Sequence, residues 1–217
     1  MSDDHVVEEG TALLQPEQLP PKTSTLIAGP ALTGKRELLF DLLGGGDDTA
    51  SILITTKRNA ERFRESFLQT HPDSDWDVRL VDCVSKSQSL QRVQDTDTTK
   101  HVTNPGDLTG IGIATSGFMR EFYHGDRDVR IGLHTLSTLL MYSDLKRVFR
   151  FCHVMNGRIA SSGFSGVYTL DTSTRNAEAL DVLTGLFDAV VEVRETDESE
   201  QLRVRGSDFG PRRWTEF

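Results

Sequence analysis

"STLIAGPALTGKRELLFDLLGGG", residues 24–46, decides how this chain is read. A short apolar run stops at Gly29 and Pro30, as a buried strand does. After the turn, Leu38, Leu39, Leu42 and Leu43 recur at helical spacing, and three glycines at 44–46 end the helix. The connection, "GPALTGKR", follows the phosphate-binding pattern of Gly, four residues, Gly and Lys through Gly29, Gly34 and Lys35. Its last position, where that pattern requires Ser or Thr, is Arg36. In such a loop the residues Gly29, Pro30, Ala31, Leu32, Thr33, Gly34, Lys35 and Arg36 wrap a phosphate. Backbone N–H groups and the positive end of the helix supply the attraction, and Lys35 reaches the outer phosphates.

Working outward, the same strand–helix rhythm repeats. "ASILITT" reads as a second buried strand, and the helix after it turns Ala60, Phe63 and Phe67 to one face. "DVRLVDCV" is a third strand, so a parallel sheet with crossover helices is expected. The polar stretch "SKSQSLQRVQDTDTTKHVT", residues 85–103, breaks the rhythm and reads as a mobile loop able to order on binding. A helix capped by Asp107 or Thr109 follows, with Ile113, Phe118 and Phe122 expected inward. A fourth strand, "DVRIGLH", leads into a helix that places Leu145, Val148, Phe149, Cys152, Met155 and Ile159 on one face. "SGVYTLD" is a fifth strand, and "AVVEVRE" with "EQLRVRG" forms an antiparallel hairpin. Residues 1–20 are read as a flexible acidic tail and 21–217 as one domain.

Charge narrows the partners. The 217 residues carry a net charge of −9, which disfavours nucleic acid and anionic membrane surfaces. Twenty Asp stand against 13 Glu, and 18 Arg against 6 Lys, a balance that suits a salt-rich cytoplasm. The basic end, "RVRGSDFGPRRW", is read as a charged hairpin end. Cys83 and Cys152 fall in apolar contexts and are expected as buried free thiols, with no metal spacing among Cys and His. With no signal peptide and no apolar run of bilayer length, the expected location is the cytoplasm.

Two further positions bear on chemistry. A metal-holding carboxylate is expected at the end of the fourth strand, where His134 stands; imidazole suits Mg²⁺ poorly. A water-polarising acid is expected just after the second strand, where Thr55, Thr56, Lys57 and Arg58 occur, with Glu61 a turn further on. Phosphoryl transfer depends on positioned charge, so hydrolysis is expected to be crippled. After the fifth strand, Thr172 or Ser173 suits a phosphate sensor, and Asp171 or Thr174 suits a helix cap.

The loop "GPALTGKREL", together with "ILITTKRNAERF", "VRLVDCVSKSQS", "NPGDLTGIGI" and "STLLMYSDLKRVFRFCHVMNGRI", resembles the RecA/KaiC-like P-loop superfamily. Within it, the resemblance is to a haloarchaeal branch of small single-domain proteins labelled KaiC-like or transducer-like, of unknown function. The resemblance implies a RecA-like α/β fold, ATP on Gly29–Arg36, and assembly with nucleotide at a subunit interface. It makes His134 the degenerate counterpart of the metal-holding Asp, and the region of Thr56 the place of the catalytic Glu. Three functions fit these residues: a nucleotide-binding regulatory module with weak or absent hydrolysis, acting in signalling through a protein partner; an ATPase with an unorthodox site; and a protein–protein scaffold that binds no nucleotide. ATP is the expected cofactor, and the need for Mg²⁺ stays open.

Overall fold

A computed structural model of the protein describes residues 14, 18–45, 48–70, 77–89, 92–172 and 177–217. The fold is α/β, with a mostly parallel central sheet flanked by helices and an antiparallel C-terminal hairpin. Six strands, β1 (Ser24–Gly29), β2 (Thr49–Thr55), β3 (Asp77–Asp82), β4 (Thr99–His101), β5 (Asp128–His134) and β6 (Ser165–Asp171), run parallel to one another. A seventh, β7 (Ala189–Glu195), pairs parallel with β1 on one edge and antiparallel with β8 (Glu200–Arg205) on the other. The short β9 (Thr215–Glu216) closes the sheet, whose order is β4-β3-β2-β5-β6-β1-β7-β8-β9. The hairpin therefore extends the parallel sheet instead of standing apart from it.

Strands buried on both faces alternate their apolar residues between two cores. On one face Ile27, Leu53, Leu80, Val167 and Val191 meet the helices α1 (Lys35–Leu43) and α2 (Ala60–Thr70) through Leu39, Phe40, Phe63 and Phe67. On the other, Leu26, Ile52, Val81, Ile131 and Tyr168 meet four helices: α4 (Leu108–Phe122), α5 (Leu136–Tyr142), α6 (Leu145–Ser161) and α7 (Ala177–Thr184). α3 (Ser85–Gln88) is a single turn after β3. The end of α1 is tied to the sheet by Arg130 of β5, a buried guanidinium that donates to the carbonyls of Leu42 and Gly44 and pairs with Asp128 at 2.5 Å. Cys83 and Cys152 are buried free thiols, and burial pushes Cys152 up to about 12. At the N-terminal side, Leu14 and Leu19 are buried in the α1–α2 core, whereas residues 1–13 lie outside the described residues.

Two local expectations are corrected. Residues 85–103 are not one loop: Ser85–Gln88 is helical, and Thr99–His101 forms the edge strand β4. Thr98 O accepts from Leu80 N at 2.8 Å, and Val102 N donates to Asp82 O at 2.8 Å. An edge strand this short is held by main-chain bonds and can be polar throughout, so hydrophobic pattern does not announce it. In α4 the inward residues are Ile111, Thr115, Phe118, Met119 and Phe122, while Ile113 is 66% exposed. Ile113 lies five and nine residues before Phe118 and Phe122, off the i, i+4, i+7 stripe that starts at Ile111. Asp107 caps this helix by accepting from Gly110 N at 2.8 Å.

Candidate functional site

The loop between β1 and α1 opens at a reversal in the sheet. β1 leads to α1 on one face, while its neighbour β6 leads to α7 on the other. Adjacent strands whose crossovers diverge leave a crevice at their carboxyl ends, where α/β folds bind ligands. Register brings Asp171, the last residue of β6, beside Gly29, the last of β1. Thr172 N donates to Gly29 O at 2.8 Å and fixes this pairing.

Two residues of the loop take left-handed backbone. Leu32 has φ 68° with its side chain 96% exposed at the tip, and Gly34 has φ 53° at the N-cap of α1. Gly34 offers no side-chain acceptor, so the N–H groups of the first turn are the donors an incoming anion would meet. Gly29 is required by the sheet itself: a Cβ there would stand 2.7 Å from the Val193 carbonyl oxygen of β7. Thr33 is buried and donates to Pro30 O at 2.8 Å. Above Gly34 lie Glu200 of β8 and Phe217, whose nearest atoms would be 3.0 and 3.1 Å from a Cβ at that position.

Lys35 turns back into the crevice and is 6% exposed. Its ammonium donates to the Pro30 carbonyl, lies 3.4 Å from Thr33 Oγ1, and stands 3.1 Å from Asp171 Oδ1. Burial lowers its pKa, and the Asp171 carboxylate acts against that. Arg36 pairs with Glu37 and lies 5.9 Å over the Phe40 ring, while its buried Nε finds no acceptor among the described residues. Aromatic contacts connect this arginine to His134: Phe40 meets Phe63 edge-on at 5.1 Å, and Phe63 stacks on His134 at 5.6 Å.

His134 ends β5 half-buried, its Nδ1 3.1 Å from Thr169 Oγ1. Burial first, and then the charges of Lys57 and Arg36, lower its pKa to about 4, so the ring is neutral at pH 7. Thr56 is a stitch between strands: its buried hydroxyl oxygen lies 3.0 Å from the Thr135 carbonyl and accepts from Thr135 N at 2.8 Å. Thr55 makes a turn contact, donating to Arg58 O at 2.6 Å. Glu61 lies exposed in the first turn of α2, while Lys57 and Arg58 stand exposed at the rim. A cavity of about 290 Å³ opens there, lined by Thr56, Lys57, Thr135, Ser137, Tyr142 and Asp171. A cleft of about 480 Å³ between α4 and α6 holds none of these residues.

The structure thus brings Gly29–Arg36, His134, Thr56 and Lys57 to one end of the sheet. Sequence reasoning missed Asp171 as the partner of Lys35, because the pairing depends on β6 lying next to β1. It also missed Glu200 and Phe217 over Gly34. Of the sensor and cap candidates, Ser173 and Thr174 lie outside the described residues. Asp82, which drew no attention in the sequence, is fully buried, and its carboxylate accepts from Ala60 N, Val84 N, Ser85 N and Ser85 Oγ. Four bonds leave it a fastener for α2 and α3, without capacity for chemistry.

A family of unknown function, DUF7504, matches residues 23–193. The chain belongs to that family. The DUF7504 span runs from the start of β1 into β7 and holds the loop, His134 and Asp171, but neither Glu200 nor Phe217. No curated protein matches the chain. Among the described residues no helix is long and apolar enough to cross a membrane, and no group of three His, Cys, Asp or Glu side chains is placed to hold a metal ion.

Proposed function

We propose that this DUF7504 protein is a degenerate RecA/KaiC-like P-loop module that binds ATP or another nucleotide at Gly29–Arg36, with weak or absent hydrolysis. It acts in the cytoplasm through a protein partner. The observation that carries the reading is the position of Lys35: a buried ammonium at the mouth of a strand–glycine loop–helix unit, beside a switch-point crevice. A bound phosphate takes the place of Asp171 and the Pro30 carbonyl as partner of that ammonium. The lack of hydrolysis rests on His134 and Thr56. Each is committed to a structural contact, and neither supplies a carboxylate.

One observation favours a scaffold that binds no nucleotide: Glu200 and Phe217 already cover Gly34. Calorimetry with ATP and ADP at molar KCl, beside Lys35→Ala, separates the two. Micromolar affinity that drops at least about a hundredfold in the variant supports the nucleotide module. Heat that is absent for both proteins, or the same in both, overturns it.

A further inference from the structure

The charges around the loop go further than the nucleotide reading and rest on it. A Mg²⁺-bound triphosphate needs oxygen donors for the metal, usually a hydroxyl at the helix start and a carboxylate at a neighbouring strand end. The first position holds Arg36. The second holds His134, bonded to Thr169 and stacked on Phe63. Of the two carboxylates at the loop, Asp171 is engaged with Lys35, and Glu200 reaches in from β8 over Gly34, away from both of those positions. Asp82 is saturated by four hydrogen bonds. The two positions that would hold the metal ion therefore supply no oxygen donor, and the residues there do not fit it.

They do fit an anion without one. Lys35 sits at the loop, and Arg36 follows it, its terminal nitrogen paired with Glu37 and its Nε unfilled. Lys57 lines the adjoining cavity together with Thr56, Thr135, Ser137 and Asp171. Lys57 and Arg58 are exposed at the rim. Lys57 and Lys35 both flank Asp171, and the ring contacts Phe40–Phe63–His134 run from Arg36 to the end of β5. Guanidinium and ammonium groups substitute for a metal in neutralising phosphate oxygens, although they cannot polarise a water for attack.

We infer that the loop holds its phosphates without a divalent cation, Lys35, Arg36 and Lys57 supplying the positive charge, so that the ligand is a free di- or triphosphate and not its Mg²⁺ complex. Recognition through these three cations is recognition of the phosphates, so a triphosphate lacking base and sugar is expected to bind as well.

The test is calorimetric titration of the full chain with ATP and with inorganic tripolyphosphate, each in EDTA and in excess Mg²⁺. The expected result is binding of both probes in EDTA, with Mg²⁺ leaving the affinity within about threefold or weakening it by sequestering the ligand. Lys57→Ala, an exposed substitution that leaves the fold intact, is expected to weaken both probes about tenfold. Arg36→Gln gives a second, independent loss. Binding that requires Mg²⁺, or gains about tenfold or more from it, overturns the inference while leaving the nucleotide reading in place. An unchanged affinity in both Lys57→Ala and Arg36→Gln also overturns it. If neither probe binds in EDTA or Mg²⁺, the inference and the nucleotide reading fall together.

Discussion

Lys35 and Asp171 face each other across the carboxyl ends of β1 and β6, Nζ to Oδ1 at 3.1 Å, the lysine 6% and the aspartate 29% exposed. The cation of the loop is thus already matched by a carboxylate of the protein. Two energies oppose each other here: taking the ammonium out of water is costly, and its partner offsets only part of that cost.

Asp171→Asn tests this balance. Removing the carboxylate leaves Lys35 buried with neutral acceptors only, and is expected to cost about 1–3 kcal/mol of stability in urea denaturation. In the same variant, ATP affinity is expected to rise, because the phosphate no longer competes with Asp171 for the ammonium. Unchanged stability with unchanged affinity would show that the ion pair matters to neither.

His134 makes stability depend on pH. Its folded pKa of about 4 lies below the ordinary value of 6.5, so between them the unfolded chain binds the proton and the folded chain does not. Stability is then full above pH 6.5 and falls as pH drops towards 4, by about 2–3 kcal/mol after discounting for partial exposure. Urea midpoints for wild type and His134→Gln between pH 7.5 and 4.5 isolate the effect. The variant is expected to lose less stability over that range, and parallel curves would show that this ring does not contribute.

Asp82 is expected to matter for folding and not for ligand. Asp82→Ala strands the N–H groups of Ala60, Val84 and Ser85 in the interior, at a cost of about 3 kcal/mol or more in denaturant midpoint. Asp82→Asn keeps some acceptors and is expected to cost less. A loss of phosphate affinity in a folded Asp82→Asn protein would contradict the structural assignment.

Glycines separate the tight places from the loose ones. Gly29→Ala drives a methyl to within 2.7 Å of the Val193 carbonyl and is expected to destabilise by about 2–4 kcal/mol, with or without ligand. Gly117 in α4 and Gly157 in α6 have open space where a Cβ would stand, with no neighbour within 4 Å, so Ala at each is expected to stabilise by about 0.5–1 kcal/mol. Thermal unfolding of the two stabilised variants should show higher midpoints; a fall in either would point to crowding around that helix.

Trp214 offers a local check on the C-terminal segment. Its ring lies between Arg194 at 4.2 Å and Arg203 at 4.5 Å, while Arg203 and Arg205 pair with Glu192. Arg203 and Arg205 of the basic run are thereby used within the hairpin. Trp214→Ala is expected to cost about 1–2 kcal/mol and to shift the tryptophan fluorescence transition in denaturant.

Read alone, the chain determined what short-range pattern can determine. The apolar runs at 24–29, 49–55 and 165–171 specified buried strands, the stripes through Phe63 and Cys152 specified helix faces, and Gly29–Lys35 marked the loop. These signals are local because strand and helix periodicity is set by neighbouring backbone geometry. The stripe failed at Ile113, where two competing apolar registers overlap in α4, and at Thr99–His101, where main-chain bonding replaces hydrophobic burial. Only the tertiary structure decided that β6 lies beside β1, which puts Asp171 on Lys35, and that β8 and Phe217 return over Gly34. Those contacts join residues more than 130 positions apart in the one case and more than 160 in the other, and strand order, which no local pattern encodes, brings them together.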